Sequence, residues 1–271
     1  MKTYMSKINQ LLKIMAKLRD PQQGCPWNRE QTHASLVPYT LEEAYEVADA
    51  IARNNTDDLC DELGDLLFQV VFYAQVAREA GQFDFDDIVT AIIDKLVRRH
   101  PHVFGDAHIE SASAQSKAWE QLKTAEIAAT ANGPTSLLDN ISLALPAATR
   151  ATKLQNRAAQ AGFDWPHINQ VMDKLAEETQ EIHAEIAQGA HSERMQDEIG
   201  DLLFVGVNLA RHAKVDPEAA LRHANIKFER RFRRIEALLA EQGRTPYEST
   251  LEEMDALWNQ AKKEEKNGAL P

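Results

Sequence analysis

The chain of 271 residues carries 42 acidic and 30 basic side chains, a formal net charge of −12. That balance excludes broad nonspecific binding to nucleic-acid phosphates and leaves local basic clusters to hold a small anion. Cys25 and Cys60 are too few for a disulfide framework, and Lys2, Lys7, Lys13 and Lys17 interrupt any apolar leader at the amino terminus. The expectation is a cytoplasmic protein with no membrane and no nucleic-acid partner.

In chain order, Ile8, Leu11, Leu12, Met15 and Leu18 follow the i, i+3, i+4, i+7 rhythm of one buried helical face. Helical periodicity of this kind recurs almost throughout, and no comparable period-two runs appear, which predicts an all-α chain. Breakers at Asp20 to Pro26, Asn54-Asn55, Gly81, Pro101 to Gly105, Gly133-Pro134, Gly162, Gly189, Asp216-Pro217 and Gly243 punctuate it. The apolar stretches Leu66 to Ala77 and Leu202 to Ala210 include Gln69, Gln75 and Asn208 and fall short of the roughly 20 apolar residues of a spanning helix. Ala and Thr enrich residues 124–135, so the predicted division is a first domain over 1–125, a linker over 126–136 and a second domain over 137–271.

One constellation occurs twice in the same order. The first copy has Glu42, Glu43 and Glu46, then Glu62 and Asp65 within Asp-Glu-Leu-Gly-Asp-Leu-Leu-Phe. The second has Glu177, Glu178 and Glu181, then Glu198 and Asp201 within Asp-Glu-Ile-Gly-Asp-Leu-Leu-Phe. Lys95, Arg98 and Arg99 are echoed by Lys227, Arg230 and Arg231, and Trp119 with Lys123 by Trp258 with Lys262. The offset is nearly constant, which points to tandem duplication of a whole domain of four or five helices.

Residues three or four apart share a helix face, so Glu178 and Glu181 aim at one spot, as do Glu198 and Asp201 on a second helix. If the two helices pack antiparallel, up to four like charges converge and require a cation between them. Oxygen ligation without Cys or paired His favours Mg²⁺ or Mn²⁺ over zinc. The second motif runs into Leu66, Leu67 and Phe68, or Leu202, Leu203 and Phe204, which predicts carboxylates beside a buried face. Gly64 and Gly200 within predicted helices suggest close approach of a helix or ligand to backbone. Competing readings are a solvated acidic face and, in the first copy, a capping box between Thr40 and Glu43. The Lys-x-x-Arg-Arg segments suit oligophosphate oxygens or surface ion pairs, and the tryptophans suit a stacked base or a packing anchor.

Together with Cys-Pro-Trp-Asn-Arg-Glu-Gln-Thr-His at 25–33, Gly-Phe-Asp-Trp at 162–165 and Lys-Phe-Glu-Arg-Arg-Phe at 227–232, the duplicated acidic motifs closely resemble the MazG nucleoside triphosphate pyrophosphohydrolases over essentially the whole chain. The resemblance implies an all-α NTP pyrophosphatase fold in which helices of associating subunits build four-helix bundles, and a homodimer. It implies a Mg²⁺-dependent cut of nucleoside triphosphates between the α and β phosphates, yielding a monophosphate and pyrophosphate in nucleotide-pool housecleaning. Metal binding transfers to Glu178, Glu181, Glu198 and Asp201, with Glu43, Glu46, Glu62 and Asp65 as first-copy counterparts. Lys174, Arg194, Lys227, Arg230, Arg231, Trp258 and Lys262 become nucleotide contacts, and Lys95, Arg98 and Arg99 their first-copy equivalents. Glu177 or Glu178 would take the proton of the attacking water, and assignment among these crowded carboxylates stays open because their titrations are coupled.

The second copy is expected to be the stronger catalyst. His100-Pro101 stops the first copy's basic helix, whereas the second continues through Arg233 and Arg234. The alternatives are a noncatalytic nucleotide- or partner-binding helical dimer or a related hydrolase specific for one nucleotide such as dUTP. The first copy retains all its acidic residues, which leaves regulation, dimerisation or narrower specificity open to it, and a regulatory protein partner stays open as well. No Gly precedes a Lys, so a P-loop is excluded. The single Glu-x-x-His, at Glu30 and His33, lies outside the acidic constellation and argues against a di-iron bundle.

Overall fold

The computed structural model describes residues 6–109, 136–189 and 192–268, with Ser111, Gln115, Ala118, Trp119 and Glu126. Every regular element among them is helical, as the periodicity predicts. The chain divides into two compact units, Met1–Glu126 and Ile127–Pro271. The expected linker falls, except at its ends, outside the described residues, as does Lys123. No helix among the described residues is long and apolar enough to cross a membrane.

The first unit contains α1 (Lys7–Leu18), α2 (Pro26–Glu30), α3 (His33–Ala52), α4 (Thr56–Glu79), α5 (Phe85–Arg99) and the short α6 (Pro101–Phe104). Thr32 and Ser35 form a reciprocal capping box that starts α3, and the helix then runs through Pro38. Thr40 and Glu43 therefore lie inside it, and the capping box proposed between them does not form. Thr40 Oγ1 instead donates to the Leu36 carbonyl and shares a 2.9 Å hydrogen bond with the Tyr73 hydroxyl.

Asn54, at φ 53°, and the Asn55 cap make the short turn into α4, so the two long helices return against each other. Their contacts bring Thr40 to Tyr73 and Glu43 to Gln69, an antiparallel register. Met15, Leu36, Val71 and Phe72 form the fully buried centre, and Ile8, Leu11, Leu12 and Leu18 of α1 pack against it. The helical face read at the amino terminus thus buries as predicted.

Arg19 fastens this unit. Its guanidinium donates to both Glu79 oxygens and to the carbonyls of Asn28 and Gln31, and lies 5.6 Å from the Phe72 ring centroid. Trp27 presents its edge to Tyr39 and Phe72. The Cys-Pro-Trp-Asn segment is thereby a structural tie that carries the chain from α1 to α3.

The second unit contains α7 (Ala147–Gln160), α8 (Ile168–Ala187), α9 (Ser192–His212), α10 (Pro217–Ala240), a 3₁₀ turn (Pro246–Glu248) and α11 (Leu251–Lys266). Its buried apolar residues include Val171, Val205, Ile235, Leu238, Leu239 and Ala261. Gly162 at φ 85° ends α7 in a conformation that L side chains rarely adopt. Two residues on, the Asp164 carboxylate accepts from Arg211 and pairs with His212 at 3.0 Å, anchoring the end of α9. The Gly-Phe-Asp-Trp segment is a tie of the same kind. Asp216 caps α10, with Pro217 in its first turn.

Candidate functional site

In each unit the two longest acidic helices meet at the repeated motif. Glu43 of α3 and Glu62 and Asp65 of α4 present one carboxylate oxygen each, all within 4.8 Å of one another. Glu178 of α8 and Glu198 and Asp201 of α9 do the same in the second unit. Helix spacing places the pair on one element, and the antiparallel partner supplies the third group. Glu46 and Glu181, one turn further on, stand beside these triads.

The electrostatics reflect that crowding. Burial, then the charges of Asp65 and Glu46, push the Glu43 carboxyl above the usual range. Burial and the neighbours Glu46 and Asp65 do the same to Glu62. Glu181 is raised by burial and by hydrogen bonding and repulsion from Glu178. Each shift says that these carboxylates disfavour their charged form as they stand.

The two copies differ in what offsets the charge. Glu178 is only 3% exposed. The Lys174 ammonium binds it at 2.7 Å and Glu177 at 2.8 Å. Those two carboxylates hold Lys174 well above the usual lysine range, so it stays cationic. Glu177 is turned toward solvent with Lys174 and is not one of the convergent three. Tyr39 occupies the repeat position of Lys174 in the first unit. There Gln69, buried at the helix interface, points its amide toward Glu43 at 3.5 Å.

The basic groups fall into place unequally. Arg230 and Arg231 of α10 both donate to Glu265 of α11, and the Arg231 guanidinium lies 5.4 Å from the Trp258 ring centroid. Trp258 also packs against Phe228 at 5.4 Å. Arg98 and Arg99 of α5 both donate to Glu126, and Trp119 meets His100 edge-on. Arg194 is exposed and reaches Glu185 at 3.4 Å. Lys95 and Lys262 are exposed, and Lys227 is half-buried. The basic run does continue past Arg231, but Arg233 pairs with Glu229, and Arg234 with Glu264. Its extra charge is neutralised locally.

Two sequence expectations are corrected here. A Cβ built at Gly64 or Gly200 meets nothing within 4 Å, so no neighbouring helix among the described residues explains these glycines. Of the apolar residues expected beside the carboxylates, Leu66, Phe68 and Leu202 are half-buried and Phe68 packs against the core, whereas Leu67, Leu203 and Phe204 are substantially exposed. Gly200→Ala is accordingly expected to stabilise the isolated chain by about 0.5–1 kcal/mol, through helix propensity and a less flexible unfolded chain. Denaturant midpoints check it, and a loss of stability would show that something crosses this backbone.

Sequence reasoning passed over Arg19, Gln69, Glu126 and Glu265. The two glutamates carried a signal, since each follows its repeat's tryptophan by the same interval. Arg19 and Gln69 carried none, because their partners are set by helix packing.

The MazG nucleotide pyrophosphohydrolase domain matches residues 31–104 and 167–235 of this chain, which include both triads. A protein of Escherichia coli (strain K12) named nucleoside triphosphate pyrophosphohydrolase is 53% identical over 262 residues, covering 96% of this chain and 99% of that protein. A Thermotoga maritima protein named nucleoside triphosphate pyrophosphohydrolase/pyrophosphatase MazG is 43% identical over 253 residues, covering 93% and 94%. A crystal structure of a mazG-related protein from Thermotoga maritima aligns with 42% of this chain at a TM-score of 0.36 and 28% identity.

Proposed function

Because the chain belongs to the MazG nucleotide pyrophosphohydrolase family, whose members hydrolyse phosphoric anhydrides, we propose that it is a Mg²⁺-dependent nucleoside triphosphate pyrophosphohydrolase. It cuts (d)NTPs between the α and β phosphates, releases a nucleoside monophosphate and pyrophosphate, and serves nucleotide-pool housecleaning in the cytoplasm. The observation that carries this is the pair of carboxylate triads, each built from two antiparallel helices in a unit that also holds an arginine pair.

The triads fit a hard divalent cation. All donors are carboxylate oxygens, and Glu178 Oε2 is buried without a hydrogen-bond partner. Glu178, Glu198 and Asp201, with Glu181 adjacent, would hold the ion in the second unit, and Glu43, Glu62 and Asp65, with Glu46, in the first. A bound Mg²⁺ supplies charge neutralisation and polarisation of a phosphoryl oxygen. Lys174 pairs with Glu178 and orients it. Arg230, Arg231 and Lys227 bind phosphate oxygens and steady the charge on departing pyrophosphate, while Trp258 offers an aromatic face. One of the crowded carboxylates takes the proton of the attacking water.

Lys174 makes the second unit the stronger site, because the first has Tyr39 in its place. Leu63 and Leu67 beside the first triad are 49% and 42% exposed, and Ile199 and Leu203 beside the second 43% and 66%. These apolar positions support a homodimer that completes each bundle.

Product analysis over a panel of ribo- and deoxynucleoside triphosphates with Mg²⁺ tests the reading. Monophosphate plus pyrophosphate is the expected outcome. Diphosphate plus phosphate, or no turnover of any nucleotide, would sink it, and turnover of dUTP alone would narrow it to one substrate.

A further inference from the structure

We propose that Glu265, and Glu126 at the matching place in the first copy, are resident competitors for the arginine pair that receives the substrate's oligophosphate. The inference rests on the proposed function, in which Arg230 and Arg231 bind phosphate oxygens, and adds residues that set how tightly they do so.

The arrangement is the same in both units. Glu265 Oε1 accepts from Arg230, and its Oε2 accepts from Arg231 Nε at 2.9 Å and Nη2 at 2.5 Å. Glu126 Oε1 accepts from Arg98 Nε at 2.7 Å and its Oε2 from Arg99 Nη2 at 2.5 Å. In each case one carboxylate bridges two guanidinium groups, as two oxygens of a phosphoryl group would. The bridging arginines hold Glu126 down at about 2, so this anion is ionised at any physiological pH.

A phosphate chain reaching the pair must displace the carboxylate. Arg230 Nε is buried without a hydrogen-bond partner, so Glu265 leaves a donor that a richer anion could use. Nor does α11 depend on Glu265 for its seat. Ala261 is fully buried, Trp258 packs on Phe228, and Arg234–Glu264 and Arg244–Glu253 tie the helix at both ends. The carboxylate raises KM by holding the arginines, while the step that sets kcat proceeds without it.

Glu265→Gln in the full chain tests this. KM for the nucleotide and the dissociation constant of inorganic tripolyphosphate, measured by calorimetry, are each expected to fall about tenfold with kcat unchanged. Glu264→Gln, which loosens Arg234 and Gln260 but touches neither arginine of the pair, should move neither. A purely structural tie predicts the reverse, weaker binding or none of this shift, and either result overturns the proposal.

Arg231→Ala separates the two levels of inference. If it leaves tripolyphosphate binding intact, the arginine pair is not the phosphate site and both readings of it fall. If it weakens binding while Glu265→Gln does not tighten it, only the competitor role falls. Should Glu265→Gln not fold, hydrogen exchange on the unaltered protein decides. The last turn of α11 is expected to exchange faster with tripolyphosphate bound, and slower or unchanged exchange overturns the proposal.

Discussion

Glu178→Ala is expected to lower kcat by on the order of a hundred- to a thousandfold while leaving the metal-free fold intact. If Glu178 holds the proposed cation, its loss removes several kcal/mol of transition-state charge stabilisation. The fold should survive because Lys174 keeps Glu177 as a partner at 2.8 Å, so no buried cation is stranded. Removing Glu178 also relieves Glu181, whose carboxyl is raised by burial and by that neighbour. Steady-state kinetics and thermal melts without cation check both halves. Glu43→Ala in the first unit is expected to cost much less turnover. If Glu43→Ala alone abolishes it, the ranking of the two sites reverses.

Arg19→Ala is expected to destabilise the first unit by about 2–4 kcal/mol, because it removes a buried guanidinium from an exposed carboxylate, takes the side-chain donor from the Gln31 carbonyl and leaves the Asn28 carbonyl only the long bond from the Gln31 N–H. The Arg19 side chain is only 8% exposed, whereas Glu79 is 37% exposed, so most of the loss comes from the Asn28 and Gln31 carbonyls and from contact with Phe72. The smaller, pH-dependent part has a definite sign. Burial pushes Glu79 up, but hydrogen bonds from Arg19 and Gln75 outweigh it and leave the carboxyl below its ordinary 4.5. That contribution is present above pH 4.5 and is lost as pH falls through the lowered value. Urea titrations at neutral pH and in acid should therefore show the gap between wild type and variant narrowing in acid. A gap that widens in acid would contradict the role given to Glu79.

Much of the site was legible because its parts are local. Glu198 and Asp201 stand three residues apart on one helix, as Glu62 and Asp65 do, and this alone places each pair on one face. Repetition separated these pairs from ordinary acidic helix surface. At the start of α3 two local signals compete, and Thr32 with Ser35 takes the capping role that the alternative reading gave to Thr40 with Glu43. The Gly-Phe-Asp-Trp and Cys-Pro-Trp-Asn segments were visible as motifs, yet their job as ties depended on Arg211 and Arg19, which lie far from them in sequence or carry no pattern of their own.

The all-α class, the duplication and the order of the acidic and basic groups follow from residue identity and helical period, which are local properties repeated twice. Which charges meet is a matter of packing. Packing put Lys174 on Glu178 in one copy and Gln69 beside Glu43 in the other, and it seated Glu126 and Glu265 on the arginine pairs. Those outcomes depend on the rotation and separation of helices distant in sequence. There a displacement of a few ångströms changes a Coulomb interaction more than any residue count reveals.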